Sequence, residues 1–144
     1  MELAEQTIVI TGGASGIGAA LARRFAEESP ANLVLADRDL DGARAVAQAV
    51  ASGVSGQCVP RQLDVGRDGA NEALVADVEN NVGPIDLFVA NAGIATGASE
   101  QADDGVWGSI WDINTMAHVR AARALVPLWL ERGGGYLLTT ASAA

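Results

Sequence analysis

Thr7-Ile8-Val9-Ile10-Thr11-Gly12-Gly13-Ala14-Ser15-Gly16-Ile17-Gly18 reads as an apolar strand that runs into a glycine loop and then into a helix. Residues without a Cβ let the backbone turn sharply and approach a ligand closely, while the free amides of the helix start point toward negative charge. That is the geometry for gripping a pyrophosphate. A glycine pattern alone is a weak signal, but a second apolar run, Asn32-Leu33-Val34-Leu35-Ala36, here ends on Asp37. This acid follows Gly18 near the offset of about 20 residues at which dinucleotide-binding units place the carboxylate that holds a ribose.

Working outward, strand-like runs cover Thr7 to Thr11, Asn32 to Ala36, Gln57 to Leu63, Ile85 to Ala90 and Gly135 to Thr140, with helix-like segments between them. Such alternation specifies an α/β fold, a Rossmann-like doubly wound parallel sheet with helices on both faces. The runs around Ile8, Leu33 and Leu87 are continuously apolar, as in strands covered on both sides. Right-handed crossovers give the strand order 3-2-1-4-5, and a crevice opens between the first and fourth strands, where the order reverses.

The helices follow from apolar spacing. Ile17, Leu21 and Phe25 recur every fourth residue and predict the stripe that packs the first helix on the sheet, and Ala43, Val46 and Val50 do the same for the second. Leu74, Val78 and Val82 serve a third, which Gly83-Pro84 ends. The longest helical stretch, from about Asp103 to Glu131, begins at an aspartate cap and stops at Gly133-Gly134-Gly135. Its expected buried face is Val106, Ile110, Ile113 and Ala117, and Pro127 predicts a bend or break.

Composition narrows the function. The length of 144 residues suits one domain with a real core, and the glycine loop with Asp37 makes residues 1–144 read as a single NAD(P)-binding Rossmann domain. Nine arginines, no lysine and 18 acids give a net charge of −9, which argues against nucleic acid as a partner. There is no lysine to follow the last glycine of the loop, as a Walker-type phosphoryl-transfer site requires. The single cysteine, Cys58, cannot form an internal disulfide, and no apolar run has membrane length. A soluble, reducing, cytoplasmic setting without a membrane partner is the expectation.

Thr11 to Gly18 fit the pattern Thr-Gly-x-x-x-Gly-x-Gly at every fixed position, and on these residues the chain resembles the short-chain dehydrogenases/reductases. Asp64-Val65 after the third strand, Asn91-Ala92-Gly93 after the fourth and Asn114 in the long helix extend the likeness. Gly135-Tyr136-Leu137-Leu138-Thr139-Thr140-Ala141-Ser142-Ala143-Ala144 resembles the strand that carries the family's catalytic serine. The fit is to the first half of the family fold. Family enzymes carry a Tyr-x-x-x-Lys pair shortly after that serine, and this sequence ends before it. The resemblance therefore implies an inactive truncated form whose native chain continues past Ala144, with Leu137 and Leu138 left partly unprotected.

The same resemblance assigns the site. Gly12, Ser15, Gly16, Ile17 and Gly18 would hold the pyrophosphate, and Asp37 would accept hydrogen bonds from both adenosine ribose hydroxyls. A 2′-phosphate would meet the Asp37 carboxylate with like charge, so NAD is expected over NADP; Arg38 weakens that argument and Ser15 supports it. Asp64 and Val65 would bound the adenine, and Asn91, Ala92 and Gly93 would let the chain pass beside the nicotinamide ribose. Ser142 would hold the substrate oxygen, and Asn114 would bend its helix and position a water in the proton relay. Tyr136, the only tyrosine, precedes Ser142 and is not the acid.

The implied activity is hydride transfer between a nicotinamide cofactor and a small alcohol or carbonyl substrate, in a full-length form that is a homo-oligomer. A non-catalytic NAD(H)-binding or partner-recruiting module is the competing reading. Trp107, Trp111 and Trp129 read as packing residues, some at an oligomer interface. His118 reads as a packing or surface residue and Cys58 as an inert strand residue.

Overall fold

A computed structural model describes residues 2–97 and 99–142. The elements run β1 (Thr7–Thr11), α1 (Gly16–Ala26), β2 (Asn32–Asp37), α2 (Leu40–Val50), β3 (Cys58–Gln62), α3 (Ala70–Asn81), β4 (Leu87–Ala90), α4 (Asp104–Trp111), a π-helical turn (Asp112–Met116), α5 (Ala117–Arg132) and β5 (Tyr136–Thr139). The five strands form one parallel sheet in the order β3-β2-β1-β4-β5, as the crossover argument requires. In the middle of the sheet Ile8 stands opposite Leu33 on one side and Leu87 on the other.

Alternation along each strand divides the core into two layers. Ile8, Ile10, Leu33, Leu35, Leu87 and Val89 pack against α1 and α2, whereas Val9, Val34 and Phe88 pack against α3 and α5. Each fully buried aliphatic or aromatic side chain of this kind contributes roughly 1.5–3 kcal/mol, so central β1 with its two neighbours forms a rigid platform. Below the sheet, Arg132 of α5 forks onto Glu79 of α3 at 2.7 and 3.0 Å, and Glu79 Oε1 accepts the Ile85 N–H at 2.8 Å. The Trp129 indole N–H donates to the Ile85 carbonyl at 2.7 Å. These bonds lock α5 to the start of β4.

Three expectations about the helices need correction. The buried residues of α1 are Gly18, Ala19, Ala22 and Ala26, with Leu21 and Phe25 half-buried on the flank and Ile17 59% exposed. Small residues let this helix lie close to the sheet, and Ile17, in its first turn, faces the crevice instead. Pro127 sits inside an unbroken α5, because it and Arg123, whose carbonyl it leaves without a donor, are both on the solvent side. The discontinuity lies earlier, in the π-helical turn at Asp112–Met116 that contains Asn114.

That turn shifts the helical phase. Val106, Ile110 and Ile113 are only half-buried, and the buried row is Ala117, Ala121, Leu125 and Trp129. Trp107 and Trp111 are 50% and 60% exposed, so Trp129 alone of the three is a core residue. Asp103 does cap α4, its carboxylate accepting the Val106 N–H. On β5, Leu137 packs on the α3/α5 layer while Leu138, on the opposite face, is 45% exposed.

Candidate functional site

Where β1, β2 and β4 end, their loops enclose an open cavity of about 360 Å³. One wall is the glycine loop, contributing Gly12, Ser15, Gly16 and Ile17. Asp37 and Arg38 close the end beside β2, and Leu63, Asp64 and Val65 follow from β3. The third wall is Asn91, Ala92, Gly93 and Ile94 after β4, with Ile113 and Thr140 behind it. This is the crevice expected at the point where the strand order reverses.

The glycine loop presents the start of α1 to the cavity. Ser15, in extended conformation, precedes α1 without making a side-chain cap, and no acid occupies the first turn. The positive end of the helix and its first amides therefore lie open to the cavity. Gly16 has φ +52°, and a Cβ there would meet nothing within 4 Å, so the space in front of it is free for a ligand. Gly18 does not line the cavity. A Cβ on it would stand 2.0 Å from the Gly12 carbonyl oxygen, so its part is to let α1 fold back onto the loop.

Asp37 ties this loop to β2. One carboxylate oxygen accepts the Ala14 N–H at 3.0 Å and the other accepts the Asp39 N–H at 2.9 Å. Each oxygen keeps a second lone pair for a ligand. Asp64 is similarly engaged with its own turn, accepting the Gly66 N–H at 3.1 Å, and Val65 is buried beneath it.

Two residues without a role in the sequence reading organise the opposite wall. The hydroxyl of Thr11, 2% exposed, donates to the Val89 carbonyl at 3.2 Å and accepts the N–H groups of Asn91 and Ala92 at 3.0 and 3.1 Å. All its hydrogen-bonding capacity is used. The Asn91 amide donates to the Thr11 carbonyl at 3.1 Å and accepts the Thr140 hydroxyl at 3.0 Å, which joins the C-terminal ends of β1, β4 and β5. For Thr11 the available signal was its fixed place at the head of the Thr-Gly-x-x-x-Gly-x-Gly pattern. For Thr140 it was the paired threonines ahead of Ser142.

Asn114 reaches the site indirectly. Its side-chain oxygen accepts the Ile94 N–H and its nitrogen donates to the Ile94 carbonyl, both at 2.9 Å, so the π-helical turn clamps the loop after β4. Such turns recur at functional sites because they displace one residue from the regular helix. Ser142 follows two residues after Thr140 and is exposed; Tyr136, at the opposite end of β5, is 56% exposed.

Two titratable groups away from the cavity are shifted by burial. The Cys58 thiol in β3 is pushed up to about 11, which favours its protonated form. The His118 imidazole is held below its ordinary value, as expected of a half-buried packing residue on α5. Among the described residues no cluster of His, Cys, Asp or Glu could hold a metal ion, and no helix is long and apolar enough to cross a membrane.

The family model for short chain dehydrogenases matches residues 6–144. The dehydrogenase/reductase SDR family member 4 of Oryctolagus cuniculus is 35% identical over 147 residues, a match that covers 99% of this chain and 55% of that protein. A metagenomic short-chain oxidoreductase solved in complex with NADP superposes with a TM-score of 0.89 at 27% identity, covering 100% of this chain and 65% of the other. The L-sorbose reductase of Gluconobacter frateurii, solved with NADPH and L-sorbose, gives 0.85 at 33% identity, covering 99% and 55%. The chain spans about half the length of the curated relatives it matches.

Proposed function

Because the chain belongs to the short-chain dehydrogenase family, we propose that its cavity binds a nicotinamide dinucleotide and that residues 1–144 are the dinucleotide-binding domain of a longer oxidoreductase. The observation that carries this reading is the one cavity that both the uncapped start of α1 and Asp37 line. The bound nicotinamide supplies or takes up a hydride, and the partner substrate is a small alcohol or carbonyl compound.

The chain's own residues divide the work. The first-turn amides of α1, with Gly12, Ser15, Gly16 and Ile17, hold the pyrophosphate, and Gly18 supports that loop from beneath. Asp37 accepts from the adenosine ribose through the lone pairs that Ala14 and Asp39 leave free. Asp64 and Val65 border the adenine, and Asn91, Ala92 and Gly93 border the nicotinamide ribose. Ser142 holds the substrate oxygen, while Asn114 positions the wall through Ile94.

NAD is the proposed cofactor, since the Asp37 carboxylate at the cavity end opposes a further phosphate. A specific observation favours dual use as the second reading: Arg38 lines the same cavity, and two structural neighbours were solved with NADP or NADPH. Asp37→Ala separates the two. Hydrogen bonds to a charged group contribute about 1.5–3 kcal/mol, so NADH affinity should fall roughly 10- to 100-fold while NADPH affinity holds or rises. Fluorescence titration of wild type and variant reads both. Equal affinities before and after the substitution would mean that the ribose does not lie at Asp37.

A further inference from the structure

Arg120 on α5 is a charged side chain that the fold has buried: only 13% of it is exposed. Its Nη2 donates to Asp112 Oδ1 at 3.0 Å, its Nε lies 3.6 Å from the almost fully exposed Asp68 carboxylate, and its buried Nη1 has no hydrogen-bond partner among the described residues. A guanidinium removed from water is tolerated only where it is paired, and here one good bond does most of the pairing. That bond has a particular span. Asp112 is the first residue of the π-helical turn and Arg120 lies one turn beyond its last residue, so the pair brackets the whole irregular segment.

We infer that Arg120 is a positioning residue: by holding Asp112 it fixes the π-helical turn, and through Asn114 it fixes the cavity wall at Ile94 and Ile113. The links are all short. Asn114 sits between the two bracketed ends and grips both backbone groups of Ile94 at 2.9 Å, and Ile94 and Ile113 both line the cavity. A wide turn with i to i+5 bonding is rare and occurs mostly as a single bulge within an α-helix; regular helix in its place would rotate Asn114 away from Ile94. The bracket opposes that change.

The two ends of the pair differ in what their loss leaves behind. Asp112→Ala strands a buried cation, whereas Arg120→Met leaves a carboxylate that is 45% exposed and readily hydrated. Asp68→Ala removes only a distant, solvated partner and serves as the control.

Amide hydrogen exchange in the full-length protein tests this by NMR, with Ile94 as reporter of the clamp and Val9 as reporter of the core. Arg120→Met should speed exchange at Ile94 at least about 10-fold, and Asp112→Ala more, with Val9 unchanged in both and Asp68→Ala like wild type. Unchanged Ile94 exchange in both variants would overturn the inference. So would equal acceleration at Ile94 and Val9, which would make Arg120 a residue of general stability. A second arm rests on the dinucleotide reading: NADH should bind Arg120→Met at least about threefold more weakly than wild type. Failure of wild type to bind NADH would count against that reading alone, because the exchange experiment needs no ligand.

Discussion

Gly18→Ala is expected to destroy dinucleotide binding and to destabilise the fold by roughly 3 kcal/mol or more, at or above the top of the usual range of about 1–3 kcal/mol for overpacking. An added methyl would stand 2.0 Å from the Gly12 carbonyl oxygen and 2.7 Å from the carbon of that carbonyl, with the Asn91 amide 2.9 Å away. Two of these neighbours are backbone atoms, so no side-chain rotation relieves the overlap. Either the glycine loop moves off the end of β1 or α1 tilts away from the sheet. The first movement drags Gly12 from Asn91 and Ala92; the second uncovers Ile8, Ile10, Leu33 and Leu35. Thermal unfolding together with NADH titration measures both losses. A variant with wild-type Tm and wild-type affinity would show that the close approach of α1 to the loop is not required.

Gly16→Val is expected to separate the same two properties. Nothing lies within 4 Å of a Cβ at this position, so the new side chain projects into the cavity without a clash. The cost to the fold is backbone strain at φ +52°, about 1–3 kcal/mol for a residue other than glycine. The cost to binding is larger, because a branched side chain would occupy the space in front of the first-turn amides. NADH binding should fall below detection in a protein that still unfolds cooperatively. Retained binding would place the pyrophosphate elsewhere.

These two glycines also show how far sequence could carry the reading. The spacing from Thr11 to Gly18 marked the loop, and Asp37 at the end of the second apolar run marked the far wall; the cavity contains both. Strand order followed from right-handed crossovers within a doubly wound sheet, and every strand lies within two residues of its expected ends. Spacing could not say which glycine faces the ligand and which faces the backbone, since that depends on where α1 crosses the loop.

The helices were less legible for related reasons. Ile17, Leu21 and Phe25 formed the most apolar stripe of α1, but close packing selected the small residues Ala19, Ala22 and Ala26 beside it. Pro127 looked like the interruption, yet an exposed proline whose freed carbonyl also faces solvent disturbs a helix little. The irregular turn at Asp112–Met116 has no compositional mark and was legible only through the family resemblance, which has Asn114 bend its helix; the bonds of Asn114 to Ile94 and of Arg120 to Asp112 appear only in the folded chain. Thr11, Asn91 and Thr140 meet only when β1, β4 and β5 are aligned, so their network became visible only with the register in place.

The central claim is that the open start of α1 and the carboxylate of Asp37 together hold a nicotinamide dinucleotide. Titration of the protein with NADH and NADPH, followed by nicotinamide fluorescence, tests it most directly. Saturable binding of NADH, tighter than that of NADPH, is the predicted result; no saturable binding of either would contradict it.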